Sequence, residues 1–133
     1  MNFAIEVRVA VVLLDTSMWI EALRTGGRAD TRRRVDQLLA ADQAVWCDVV
    51  RLELWHGARG EKEHRDLRYL ESVIVCLETD RRVWQESFDL ARRARARGLT
   101  VGIPDLMLVA CAKRHGVQLE SRDVDVERLT KLG

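Results

Sequence analysis

Val9-Ala10-Val11-Val12-Leu13-Leu14-Asp15-Thr16-Ser17 decides the fold of this chain. Six apolar residues in a row, half of them β-branched and with no polar alternation, describe a strand covered on both faces, as in the parallel sheets of α/β proteins. An acid closes the run. Sites in open parallel sheets form beyond the carboxyl ends of strands, so the reading that makes the strand also places Asp15 at a candidate site. The strand is predicted over residues 8–14. Residues 1–7, broken by Glu6, read either as a lead-in or as its opening. The apolar run is too short for a signal segment or a membrane span.

The pattern continues outward from that strand. A helix is predicted over 18–24, a turn at Gly26-Gly27, and a helix over 29–41 with Val35, Leu38 and Leu39 on one stripe. A strand over 43–47 leads to a helix over 49–59, and a charged amphipathic helix over 61–72 carries Leu67, Tyr69 and Leu70. A third strand is predicted over 73–77, then a long helix over 80–97 that turns Val83, Trp84, Phe88 and Ala91 inward. Pro104, the only proline, suits the first turn of a helix over 105–115, which Gly116 closes. A short strand over 117–119 and a helix over 125–132, capped by Asp125, complete the chain. This alternation predicts an α/β fold: a three-layer α/β/α sandwich with a short, mostly parallel central sheet, as one domain spanning 1–133.

Composition narrows the function classes. The chain has 133 residues, 47% of them hydrophobic, enough for a core of ordinary size. With 22 basic and 21 acidic residues the net charge is +1, so any site for a polyanion must be local. Lysine occurs only at 62, 113 and 131, and the remaining cations are Arg, which pairs bidentately with phosphate and carboxylate alike. Cys47, Cys76 and Cys111 are odd in number, widely spaced and set among apolar residues, which fits neither a disulfide framework nor a zinc site. A reducing cytoplasm is the expected compartment, with no membrane partner.

Four acids lie where an apolar environment is predicted. Asp15 ends the first strand, Glu53 sits within Val49-Val50-Arg51-Leu52-Glu53-Leu54-Trp55, Asp105 opens Asp105-Leu106-Met107-Leu108-Val109-Ala110, and Asp123 follows Val117-Gln118-Leu119. Withdrawing several ionised carboxylates from water is costly unless they are paired or ligate a metal. Oxygen donors without neighbouring His or Cys favour Mg²⁺ or Mn²⁺ over zinc. Each acid also has a plainer explanation. Asp15 could cap the next helix, although Thr16 or Ser17 could do so instead, and Asp105 could serve the helix dipole. Glu53 shares a helix face with Val49, Val50 and Gly57, and the plainer reading puts it at the margin of that face, reaching an Arg. Between Asp123 and Asp125 the latter is the better cap, which leaves Asp123 for the metal. Ser121 could support a carboxylate or a metal-bound water.

Other candidates carry less. His56, His64 and His115 have no ligand partners at suitable spacing and read as non-catalytic. The four Trp are spaced for packing, not for stacking bases, and Arg92-Arg93-Ala94-Arg95-Ala96-Arg97 reads as a solvated helix face. Gly26-Gly27 has no Gly-Lys-Ser/Thr continuation, so there is no phosphate-binding P-loop.

Leu13-Leu14-Asp15-Thr16-Ser17, Val50-Arg51-Leu52-Glu53-Leu54-Trp55-His56-Gly57, Ile103-Pro104-Asp105-Leu106-Met107-Leu108-Val109-Ala110-Cys111-Ala112 and Leu119-Glu120-Ser121-Arg122-Asp123-Val124-Asp125 together resemble the PIN-domain ribonucleases, in particular VapC toxins of toxin-antitoxin pairs. The resemblance runs through nearly the whole chain in the family's order. It implies that Asp15, Glu53, Asp105 and Asp123 bind one or two Mg²⁺ or Mn²⁺ ions, with Ser121 and Thr16 as supporting groups. It further implies an endoribonuclease acting on RNA phosphodiesters, a cognate antitoxin protein as partner, and a homodimer. Val126 stands where the family often has Phe, Pro104 where a polar residue is common, and Glu120 adds an acid. Two rivals differ in class. A receiver-like Mg²⁺-binding signalling domain calls for an Asp after a middle strand and a Lys after the last, but Leu77 is followed by Glu78-Thr79 and Leu119 by Glu120. A catalytically silent PIN-fold interaction module would keep the fold without cleaving RNA.

Overall fold

The computed structural model describes residues 10–132. In chain order the elements are β1 (Val12–Leu14), α1 (Thr16–Leu23), α2 (Ala29–Ala40), β2 (Ala44–Cys47), α3 (Asp48–Gly57), α4 (Gly60–Val73), β3 (Val75–Leu77), α5 (Arg81–Ala96), α6 (Ile103–His115), β4 (Gln118–Glu120) and α7 (Val124–Thr130). The four strands form one sheet in the order β3-β2-β1-β4, with every neighbouring pair parallel. The architecture is the expected α/β/α type. β1 is shorter than the predicted strand, because Ala10 and Val11 lie outside the ladder. Residues 8 and 9 and the segment 1–7 lie outside the described residues.

The strand order fixes where a site can form. From β1 the chain winds out through β2 to β3, then crosses back so that β4 lies on the other side of β1. β1 is therefore the point where the winding reverses, and the crevice beyond its carboxyl end is the natural binding position. Asp15 is the next residue. Its N–H donates to the Glu120 carbonyl at 3.0 Å, which ties the end of β1 to the end of β4.

Helix boundaries follow the local chemistry. Pro104 lies in the first turn of α6, where a missing N–H costs nothing, and Gly116 ends the helix at φ 64°, a left-handed conformation that glycine adopts freely. Asp80 caps α5 by accepting the Val83 N–H at 3.0 Å. Gly27 is required by space: a Cβ there would stand 2.0 Å from the Glu21 carbonyl oxygen.

One contiguous core joins the layers. Leu13, Leu14, Met18, Val35, Leu90 and Leu129 are fully buried, and Trp19 packs on Trp46 with ring centroids 5.5 Å apart. The inward face of α5 differs from the expected one. Val83, Ser87, Leu90 and Ala94 are buried, whereas Trp84 and Phe88 are exposed and lie against each other. The buried set keeps a regular spacing of three to four residues, which Ser87 completes by donating its hydroxyl to the Val83 carbonyl. Apolar character alone had favoured Trp84 and Phe88 for that face. Tyr69 on α4 is likewise exposed, while Leu67 and Leu70 are buried. The three cysteines are free thiols; Cys47 and Cys111 are buried.

Candidate metal centre

Asp15, at the head of α1, is buried, and its side chain makes no capping bond to the helix. Its Oδ2 instead accepts the Ser121 hydroxyl at 2.5 Å and the Ser17 hydroxyl at 3.3 Å. Ser121 also accepts the Asp123 N–H at 2.9 Å, so one hydroxyl holds Asp15 and Asp123 in a common frame. Glu53 is exposed on α3, and its Oε1 accepts the Thr16 hydroxyl at 2.8 Å. Val50 and Leu54 form the buried stripe of that helix, which corrects the placement of Glu53 among apolar neighbours: it stands at the stripe's margin. There it meets a threonine of α1 and not an arginine.

The capping assignment at α7 is reversed. Asp123 is the N-cap, its Oδ1 accepting the Asp125 N–H at 2.8 Å, so Asp125 does not cap as expected. The extended backbone of Asp123 lets its side chain reach forward to that N–H, while Asp125, inside the first turn, is free to face α6. Asp105, Asp123 and Asp125 each offer a carboxylate oxygen, and these oxygens lie within 4.8 Å of one another. The sequence leaves open whether Asp125 or Glu120 joins the four acids, and it is the Asp125 carboxylate that lies with those of Asp105 and Asp123. Glu120 stands apart, held by the Arg34 guanidinium through contacts of 2.8 and 2.9 Å.

Electrostatics tie the five acids together. Burial, then the charges of Asp123, Asp15, Asp125 and Glu53, push the Asp105 carboxyl up to about 6. Among the described residues, Asp15, Glu53, Asp105 and Asp123 form no ion pair, and Asp125 reaches only Arg128, at 3.7 Å. Such a set of uncompensated oxygen donors fits a hard divalent cation and suits zinc or copper poorly. Two of the three histidines are engaged elsewhere: a ring nitrogen of His115 lies 2.7 Å from the Glu78 carbonyl, and His64 bonds the Gly60 carbonyl beside Trp55.

The PIN domain family model matches residues 12–132. The chain belongs to the PIN-domain family. It is 31% identical over 126 residues to Ribonuclease VapC18 of Mycobacterium tuberculosis, covering 92% of this chain and 89% of that protein. Ribonuclease VapC11 of the same species is 28% identical over 127 residues, covering 92% and 93% of the two chains. Among solved structures, VapBC-1 from nontypeable Haemophilus influenzae superimposes with a TM-score of 0.70 at 19% identity, covering 90% of this chain and 92% of that one. Membership in this family sets aside the receiver-like rival.

Proposed function

We propose that this protein is a metal-dependent endoribonuclease that hydrolyses RNA phosphodiesters, working as the toxin of a toxin-antitoxin pair. The observation that carries the reading is the convergence on Asp105 of four further acids at α1, α3 and α7, against which only Arg128, 3.7 Å from Asp125, brings a cation among the described residues. A structural ion-pair network would bring arginines to such a cluster. The names of the relatives, VapC ribonucleases, supply the reaction class, and the named VapBC structures supply the kind of partner, a cognate antitoxin. The chain acts as a single domain and as a homodimer in the cytoplasm. None of its described helices is long and apolar enough to cross a membrane.

In this reading Asp15, Glu53, Asp105 and Asp123, now with Asp125, hold Mg²⁺ or Mn²⁺. The bound cation supplies Lewis acidity, acidifying an attacking water and offsetting negative charge that builds on the phosphodiester oxygens. Ser121 keeps one lone pair of Asp15 occupied and so fixes which oxygen is available, and Thr16 does the same for Glu53. Replacing Asp15 or Asp105 by Asn tests the assignment: RNA cleavage is lost while the fold persists. Cleavage retained in both variants rejects it. A catalytically silent module would bind an antitoxin yet leave RNA intact at every metal concentration.

A further inference from the structure

A groove of about 460 Å³ opens beside Glu53, lined by Ile20, Leu23 and Arg24 of the α1 end, Glu53 and Leu54 of α3, and Arg59. Its volume falls within the ~300–1,000 Å³ usual for small-ligand sites, enough for a nucleotide-sized group. Unpaired arginines are common on this surface, but these two share a concave wall with an acid of the candidate metal centre. Among the described residues neither guanidinium takes part in an ion pair or hydrogen bond. Two acids share the groove, each held by a neutral donor and not by an arginine. Glu53 accepts from Thr16, and Glu63 accepts the backbone N–H of Arg59 at 3.3 Å. Both arginines are fixed at their backbones, Arg24 as the C-cap of α1 with its N–H on the Ile20 carbonyl at 2.9 Å, Arg59 as the N-cap of α4.

We infer that this groove carries the RNA strand flanking the scissile phosphodiester, with Arg24 and Arg59 gripping its phosphates. The inference rests on the nuclease reading and extends it to substrate binding. Charge complementarity selects the occupant: two unpaired guanidiniums on anchored backbones, leading away from an acid cluster whose charge a bound cation would offset, match a polyanion that continues past the reacting phosphate. Ile20, 36% exposed, with Leu23 and Leu54 adds apolar wall beside the guanidiniums but no aromatic ring on which a base would stack, so the grip falls to the phosphates.

The test measures fluorescence anisotropy of a labelled, unstructured RNA oligonucleotide in Mg²⁺, with Asp105→Asn as the parent so that the RNA survives. Arg24→Ala and Arg59→Ala should each weaken binding about 3- to 10-fold and flatten the log Kd against log salt slope by about 0.7 per lost contact. A Cβ at Gly57 meets nothing within 4 Å, so Gly57→Glu adds an acid to the groove without a clash and should weaken binding as well. The double variant Arg95→Ala/Arg97→Ala removes twice the charge of either single arginine variant, from outside the groove, and should change little. In the otherwise unaltered enzyme the groove variants raise KM and leave kcat in place. Unchanged affinity and salt slope in all three groove variants, while the unaltered enzyme still cleaves, would overturn this inference alone and leave the groove to a protein partner. A parent that binds no RNA, with an unaltered enzyme that cleaves none, would remove the nuclease reading as well.

Discussion

Asp105 is the residue at which the account is most exposed to measurement. Its carboxyl, pushed up to about 6 by burial and by Asp123, Asp15, Asp125 and Glu53, must lose its proton before it can ligate a cation. Below that value protons compete with metal, so Mn²⁺ affinity measured by calorimetry should fall steeply from pH 7 to pH 5, and Asp105→Asn should flatten the dependence. Stability in chelator follows the opposite sense. A raised folded-state pKa gives stability that is complete below the unfolded value near 4 and is lost as pH rises through about 6. Because the group is part-exposed, screening keeps the loss on the order of 1 kcal/mol. Thermal melts in EDTA should therefore show Asp105→Asn more stable than the unaltered chain at pH 7 and similar at pH 4. Ser121 offers a second residue-scale test. Its hydroxyl bridges Asp15 and the Asp123 backbone, so Ser121→Ala should cut metal affinity about 10- to 100-fold while leaving the helices intact by circular dichroism.

Elements were legible where periodicity and punctuation agreed, and less so where apolar character competed with spacing. The Val12–Leu14 strand, the Pro104 start and the Gly116 stop of α6 could all be read directly. α5 could not, because Trp84 and Phe88 carry the strongest hydrophobic signal on a helix whose buried face runs through Ser87. That difference has a stability consequence. Leu90→Ala should cost about 2–5 kcal/mol in denaturant unfolding, whereas Trp84→Gln should lie within about 1 kcal/mol of the unaltered chain. The N-cap of α7 differs from the expected one for a related reason. Cap preference ranks the two equally, and only the extended backbone of Asp123, set by the turn after β4, decides which one caps α7. Glu53 looked buried because its helix neighbours are apolar, but its position at the edge of the stripe lets it reach Thr16 on another helix.

At the scale of the whole molecule, the crossover that places β4 beside β1 is what gathers the acids. It sets Asp15, at the end of β1, next to Ser121 and Asp123, just past the end of β4, and the N-terminus of α6 brings Asp105 to the same crevice. Their mutual repulsion opposes folding until a cation offsets it, so saturating Mg²⁺ or Mn²⁺ should raise the melting temperature, and EDTA should reverse the gain. The most direct measurement is RNA cleavage during a Mg²⁺ or Mn²⁺ titration by the unaltered chain, Asp15→Asn and Asp105→Asn, with folding of each checked by circular dichroism. The account predicts no cleavage in EDTA, cleavage that rises with metal in the unaltered chain, and none in either folded variant. Cleavage that persists in EDTA, or in both variants, would contradict it.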